Sequence, residues 1–176
     1  MPRYIALLRG INVGGKSMMK MEELKDMFAE LGFGNVETYI NSGNIAFDSK
    51  KIAEAKLADK IEDAIEAKFG RPVPVMVRVQ DAIERIVTAN PFHGQFDDHR
   101  YMHVLFLKEE MPKDKLAQLK AAALPGEQYD AVGQELYCLM PDGVADSLLG
   151  TNFIEKKLKV SATGRNWRTV EKLAEL

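Results

Sequence analysis

The sequence is poor in cysteine and in long apolar runs. Its one cysteine, Cys138, excludes an internal disulfide and is typical of a protein kept in a reducing compartment. No apolar run approaches the roughly 18 residues that a membrane-spanning helix needs. The N-terminus begins directly with a strand pattern and carries no apolar signal core. We therefore expect a cytoplasmic protein without a membrane segment.

A basic excess is also absent. The formal net charge is −2 at pH 7, which argues against general affinity for nucleic acid. The exception is local, because residues 156–172 contain one acidic residue, Glu171, and six basic ones: Lys156, Lys157, Lys159, Arg165, Arg168 and Lys172. This basic tail keeps a nucleic-acid or protein interaction module open as an alternative function.

Apolar periodicity in residues 1–89 predicts alternating strands and helices. The predicted strands cover Arg3–Arg9, Val36–Ile40, Ile45–Phe47 and Val73–Val79. The predicted helices cover Met21–Leu31, Leu57–Phe69 and Ala82–Ala89. The turn Asn41-Ser42-Gly43-Asn44 joins the second and third strands as a hairpin, and Pro74 places the fourth strand at a sheet edge.

This order of elements, strand-helix-strand-strand-helix-strand, favours the ferredoxin-like split βαβ sandwich. Residues 90–100 have no periodicity and are interpreted as a linker. The second half repeats the opening order, with predicted elements over Tyr101–Lys108, Pro112–Ala123, Gln128–Val132, Glu135–Met140, Val144–Leu149, Phe153–Leu158 and Trp167–Glu175. We predict an α+β protein of two tandem ferredoxin-like (βαββαβ) α/β-sandwich subdomains, at 1–89 and 101–176, the second including the C-terminal helix.

A glycine-rich loop follows the first strand and is the main candidate site. In the predicted topology this loop and the first hairpin meet at one edge of the sheet, about 10 Å apart, and Arg71 comes up at the same edge. Glycine N–H groups, amides and flanking cations suit a small anion. The candidate ligand-binding residues here are Arg9, Gly10, Asn12, Gly14, Gly15, Lys16, Asn41, Ser42 and Asn44. The spacing does not match a Walker A sequence, and the glycines could equally serve a tight strand exit.

The tail supplies three further candidate ligand-binding residues, Arg165, Asn166 and Trp167. Thr163 can cap the last helix, the arginines can bind an anion, and the indole of Trp167 offers a flat face for a base. The alternative, which we favour, is that Trp167 packs between the subdomains and the arginines pair with carboxylates.

Other chemistry-bearing residues form weaker patterns. His93, Asp97, Asp98, His99 and His103 cluster in sequence but lack the spacing of a metal site, so we predict no metal. Cys138 has no motif around it and is expected to be a buried, inert thiol. No Ser-His-Asp arrangement or isolated carboxylate pair is present.

Four motifs carry a family resemblance: Arg9–Gly15, Tyr39–Asn44, Asn90-Pro91-Phe92 and Thr163–Val170. With them the chain resembles the domain-of-unknown-function 1697 (DUF1697) family of uncharacterised bacterial proteins over essentially its whole length. Gly164 stands where the pattern favours Thr or Ala. The resemblance implies tandem ferredoxin-like subdomains, and it implies no activity, cofactor or catalytic residue. From the residues, we expect a protein that binds a small phosphorylated or nucleotide-like anion.

Overall fold

The chain folds as an α+β protein with two four-stranded antiparallel sheets. The computed structural model describes residues 1–12 and 18–176. The chain divides into two compact units, one formed by Met1–Glu84 with Leu173–Leu176 and the other by Arg85–Lys172. The predicted fold class, two tandem ferredoxin-like subdomains, is confirmed.

Unit 1 contains four strands, which run over Arg3–Leu8 (β1), Gly34–Tyr39 (β2), Asn44–Asp48 (β3) and Val75–Val79 (β4). Its helices are Met21–Glu30 (α1), Glu54–Phe69 (α2) and Gln80–Thr88 (α3), the last of which ends within unit 2. The sheet order is β2-β3-β1-β4, so β4 is an edge strand, as Pro74, immediately before it, indicated.

The core of unit 1 explains the continuous apolar run in β1. Tyr4, Ala6 and Leu8 belong to the cluster that α1 and α2 cover, through residues such as Phe28 and Ile61. Ile5 and Leu7, which alternate with these residues, are fully buried as well. A strand that is buried on both faces carries apolar residues on both, and the sequence of β1 accordingly shows a continuous apolar run without polar alternation.

Unit 2 repeats this architecture. Its strands run over Met102–Leu107 (β5), Gln128–Val132 (β6), Glu135–Leu139 (β7) and Ala162–Asn166 (β8), in the order β6-β7-β5-β8. Its helices are Lys113–Ala122 (α4), Phe153–Lys156 (α5) and Trp167–Glu175 (α6), the last of which ends within unit 1.

Two features of unit 2 differ from the sequence-based prediction. β8 was not predicted, because Ala-Thr-Gly-Arg-Asn has no apolar alternation and is fixed by its pairing with β5, for example Leu105 opposite Gly164. The predicted helix Val144–Leu149 is wrong. Ser147 bonds to the Val144 carbonyl and accepts a hydrogen bond from the Leu149 N–H, which begins a 3₁₀ helix at Leu148 instead.

The two units share one detail of sequence as well as their order of elements. The fourth residue of the last strand is a buried arginine in both, Arg78 in β4 and Arg165 in β8. Each lies opposite the third residue of the first strand, Ile5 or Val104. Each guanidinium donates through Nη1 to the carbonyl of the preceding residue, and a helix follows each strand directly. Both units are therefore βαββαβα repeats with a matched arginine.

None of the helices in the described ranges combines the length and apolar character that crossing a bilayer requires.

Candidate functional site

Three segments of unit 1 meet where β1 ends. The Leu8 N–H donates to the Gly43 carbonyl at 2.9 Å, which places the β2–β3 turn beside the end of β1. The Arg9 N–H donates to the Pro74 carbonyl at 3.0 Å, which brings in the segment before β4. We call residues 9–12, 18–20, 40–44 and 70–75 the basic rim; residues 13–17, between the first two of these ranges, lie outside the described residues.

Gly43 sets how closely the turn approaches β1. It has a φ of +89°, and a Cβ there would lie 2.8 Å from Leu8 Cβ and 3.1 Å from the Leu8 carbonyl oxygen. Only a residue without a side chain fits both the backbone conformation and the available space. The glycine in the turn Asn41-Ser42-Gly43-Asn44 is therefore required by the close approach to β1 as well as by the turn itself.

Asn12 joins the loop to the turn. Its Nδ2 donates to the carbonyls of Met19 at 3.0 Å and Asn41 at 2.7 Å, and its Oδ1 accepts the Met19 N–H at 2.6 Å. Both amide hydrogens of Asn12 thus have acceptors within the protein. Its φ of +53° is tolerated by asparagine. The side chain of Asn12 therefore positions the basic rim.

Asn44 has an internal role of the same kind. It is fully buried, and its Nδ2 donates to the Tyr39 carbonyl and to the Ser42 hydroxyl, both at 3.1 Å. Asn44 therefore stabilises the turn from within. Asn41 contributes its carbonyl to the contact with Asn12, and its side chain is exposed.

Two arginines bring positive charge to the described part of the basic rim. Arg9 follows β1, and partial burial lowers the pKa of its guanidinium. Arg71 donates from Nη2 to the Met18 carbonyl at 3.1 Å, so it holds the end of the loop. Its Nε is buried and has no hydrogen-bond partner among the described residues. Gly10, between Arg9 and Asn12, is exposed with a φ of +68°.

Gly14, Gly15 and Lys16, which belong to the candidate set, lie outside the described residues. In sequence they connect the two described parts of the loop that Asn12 ties together through Met19. Their predicted part in anion binding stays a prediction.

Arg165 in unit 2 lies in a different environment from the arginines of the rim. It is 8% exposed and donates to the Thr163 hydroxyl at 2.7 Å and to the Gly164 carbonyl at 2.9 Å. Burial lowers the pKa of Arg165 to about 10. A guanidinium in this position is part of the interior of the protein, and a ligand in solution has little access to it.

Asn166 and Trp167 begin the last helix. The Thr169 N–H donates to Asn166 Oδ1 at 2.9 Å, so Asn166 caps α6 and the predicted cap Thr163 is wrong. Thr163 lies in β8, where it contacts Arg165 instead. Trp167 is 8% exposed and meets the ring of Phe96 edge-to-face, with centroids 5.9 Å apart. Its indole face is a packing surface.

Sequence reasoning missed a cleft in unit 2. The cleft has a volume of about 460 Å³ and is lined by Gly94, Gln95, Phe96, Asp97, Tyr101, Leu139 and Pro141. It falls in the segment that the sequence marks as a linker, where the absence of periodicity conceals it. On the basic rim the sequence placed Arg71 correctly, while Met18 carried no recognisable signal.

The remaining titratable groups of unit 2 are largely internal. No group of three or more histidine, cysteine or acidic side chains in the described ranges could hold a metal ion. Cys138 is fully buried, and burial raises the pKa of its thiol. Burial, with a smaller effect of the nearby His99, lowers the pKa of His103 to about 4, and its Nδ1 has no partner among the described residues.

Comparisons with known proteins agree with the fold. A family model described as "Protein of unknown function (DUF1697)" matches residues 1–137. Among solved structures, the chain is similar to the conserved bacterial protein SP0830 from Streptococcus pneumoniae, with 25% sequence identity and a TM-score of 0.77. That similarity covers 99% of this chain and 97% of the other. No curated protein matches the chain.

Proposed function

The chain belongs to the DUF1697 family, and we propose that it binds a small phosphorylated or nucleotide-like anion at the basic rim of unit 1. The observation that carries the proposal is the charge of the three segments that meet there. Residues 9–12, 18–20, 40–44 and 70–75 contain three basic residues, Arg9, Lys20 and Arg71, and no acidic one, and Lys16 lies between the first two ranges in sequence. In a chain with net charge −2, this local excess favours an anionic ligand.

The hydrogen-bonding state of Arg71 supports the same proposal. One nitrogen of its guanidinium holds the Met18 carbonyl, while its buried Nε has no partner in the described part of the chain. A buried donor left unpaired costs about 1–3 kcal/mol. A phosphate oxygen is the acceptor best suited to a guanidinium fork, because both the charge and the planar geometry match.

In this proposal Arg9 and Arg71 supply charge. Lys16 and the backbone N–H groups of Gly14 and Gly15, which lie outside the described residues, keep the part in anion binding that the sequence predicts for them. Asn12 and Gly43 hold the loop and the turn together and do not themselves contact the ligand.

Isothermal titration with inorganic phosphate and with pyrophosphate tests this proposal. We expect saturable binding at low ionic strength that weakens as salt is added, because exposed charges are screened. Arg71→Ala and Lys16→Ala should each weaken binding at least about fivefold, or roughly 1 kcal/mol.

Lys51→Ala is the matched control, since it removes one exposed lysine from unit 1 beyond the opposite end of β3. Thermal unfolding of each variant checks that Arg71→Ala has not merely released the loop. The proposal is wrong if neither anion binds, or if Lys51→Ala weakens binding as much as the two rim variants do.

The structure gives little support to the alternative of an interaction module that uses the sheet faces and the basic tail. Residues on both faces of each sheet are buried, including Ile5 and Leu7 in β1 and Val104 and Phe106 in β5. Bases that stack on a sheet need exposed aromatic side chains. Arg165 is buried too, which removes one of the tail's six cations from the surface.

We also propose a cytoplasmic location in bacteria. The thiol of Cys138 is free and buried, which suits a reducing compartment. The similarity to the Streptococcus pneumoniae protein supports a bacterial source.

A further inference from the structure

Two exposed apolar side chains lie on the basic rim. Met18 is 64% exposed and Ile40 is 53% exposed, and both belong to the small set of large hydrophobic residues that face solvent in the described ranges. Each immediately precedes a residue whose carbonyl accepts a hydrogen bond from Asn12, namely Met19 and Asn41. One amide group therefore holds the backbone next to both side chains.

Arg71 connects the apolar pair to the charge of the rim. Its Nη2 is 3.1 Å from the carbonyl oxygen of Met18, so a cation lies directly beside one member of the pair. On this surface, positive charge and exposed apolar side chains therefore lie next to each other.

Ile40 occupies an uncommon backbone conformation. Its φ is +51°, a region that β-branched residues rarely adopt. Glycine or asparagine would suit this turn position better, and an exposed isoleucine gains little from burial to offset the strain. Strained positions of this kind are concentrated at binding sites.

From this arrangement we infer that the ligand of the basic rim is a phosphate monoester whose alcohol part is apolar or aromatic. The phosphate lies at Arg71 and Arg9, and the organic part covers Met18 and Ile40. This inference rests on the proposed anion binding and adds the class of ligand. A thioether and a branched aliphatic side chain form an adaptable surface for a flat apolar group, whereas inorganic phosphate would leave both in water.

The test compares four probes by isothermal titration: inorganic phosphate, glycerol 3-phosphate, phenyl phosphate and AMP. Glycerol 3-phosphate adds a polar alcohol part of modest size, and phenyl phosphate adds a small apolar one. We expect phenyl phosphate and AMP to bind at least about tenfold more tightly than inorganic phosphate, because apolar surface is buried. Glycerol 3-phosphate should bind within about threefold of inorganic phosphate.

The double variant Met18→Ser with Ile40→Asn tests the two side chains. It keeps every backbone carbonyl that Asn12 and Arg71 use, and asparagine tolerates the positive φ at position 40. The preference for phenyl phosphate should fall below about threefold, with inorganic phosphate binding unchanged. Val132→Ser, which removes a 49% exposed apolar residue of unit 2, is the matched control and should keep the preference.

Each failure points to a different part of the account. If inorganic phosphate binds and phenyl phosphate binds no more tightly, the inferred ligand class is wrong and the anion site stands. If the double variant keeps the preference, Met18 and Ile40 do not form the contact. If no probe binds, the anion site itself is wrong. Binding to phosphatidylcholine vesicles containing phosphatidic acid, without binding of phenyl phosphate, would contradict a soluble ester.

Discussion

Individual polar residues on the basic rim have two distinct kinds of role. Asn12 and Asn44 direct their amides at carbonyls and a hydroxyl of the protein, so they define the loop and the turn. Arg71 has one nitrogen in such a contact and another without a partner in the described ranges. The sequence shows residue types but not which of their hydrogens already have acceptors in the folded protein.

Strain at Ile40 leads to a stability prediction. Ile40→Gly should raise the free energy of unfolding by about 1 kcal/mol, because glycine adopts positive φ without steric penalty. The exposed isoleucine side chain contributes little packing that could be lost. Urea denaturation followed by circular dichroism measures the change.

The control for this prediction is Val132→Gly. Val132 is also β-branched and 49% exposed, but it lies in the regular strand β6. Glycine should destabilise the protein there, since it weakens a strand. Equal destabilisation by both substitutions would show that the turn at Ile40 is not strained.

The partly buried imidazole of His103 predicts a pH dependence of stability. Its pKa is lowered to about 4 in the folded state, against about 6.5 in the unfolded chain. The folded state therefore binds fewer protons between these values, and its stability is complete above pH 6.5 and declines as the pH falls towards 4. From this group alone we expect the free energy of unfolding to drop by about 2 kcal/mol between pH 7.5 and pH 5.0.

Substitution isolates this contribution from that of the carboxylates. His103→Gln should reduce the pH 7.5 to 5.0 difference by about the predicted 2 kcal/mol, whereas His93→Gln, which alters an exposed side chain, should leave it as in the wild type. An unchanged difference in His103→Gln would mean that the imidazole is accessible to protons in the folded protein.

At the scale of elements, the link between the β1 loop and the β2–β3 turn depends on Asn12. Asn12→Ala removes three hydrogen bonds and leaves the Met19 N–H without its acceptor. We expect a loss of about 2 kcal/mol of stability, together with weaker phosphate binding, because the loop and the turn are no longer held side by side.

The matched control for Asn12→Ala is Asn41→Ala, because Asn41 contributes its backbone carbonyl to this link and keeps it after substitution. Its stability should stay close to that of the wild type. If both variants behave alike in urea denaturation, the side chain of Asn12 does not join the two elements.

The elements differ in how far the sequence predicts them. Hairpins with strong turn signals, such as Gln128–Val132 with Glu135–Leu139, follow from local chemistry. β8 does not, because its five polar or small residues form a strand only through pairing with β5. The N-cap of α6 at Asn166 could not be predicted for the same reason, because its position is defined by the end of β8.

At the scale of the whole molecule, the charge distribution distinguishes between a small anion and a nucleic acid as the binding partner. The net charge is −2, and the local basic excess on the described part of the rim consists of three residues. We therefore predict that a 20-nucleotide single-stranded RNA binds more weakly than about 0.1 mM at physiological salt. Fluorescence anisotropy with a labelled oligonucleotide measures this affinity.

Arg168 provides the decisive variant for RNA, because it is exposed whereas Arg165 is buried. Tight and salt-sensitive binding that Arg168→Ala abolishes would contradict the prediction and favour the interaction module instead.

The repeated architecture was predictable from the sequence, and the equivalence of the two arginines was not. The order of elements is visible in the periodicity of each half, and topology rules then leave one sandwich. Arg78 and Arg165 lie in strands of different composition, and their equivalence emerges only from the strand pairings. The position of the candidate site could be predicted from the topology, whereas the part that each residue plays there is visible only in the hydrogen bonds.

The most direct test of anion binding at the basic rim is a titration of the assigned amide NMR spectrum with inorganic phosphate. We predict saturable shifts concentrated at Gly10, Asn12, the residues 18–20 and the turn at Ser42 and Gly43, with residues 85–172 largely unchanged. Shifts confined to the cleft around Phe96 and Tyr101, or no saturable shift at all, would contradict the account.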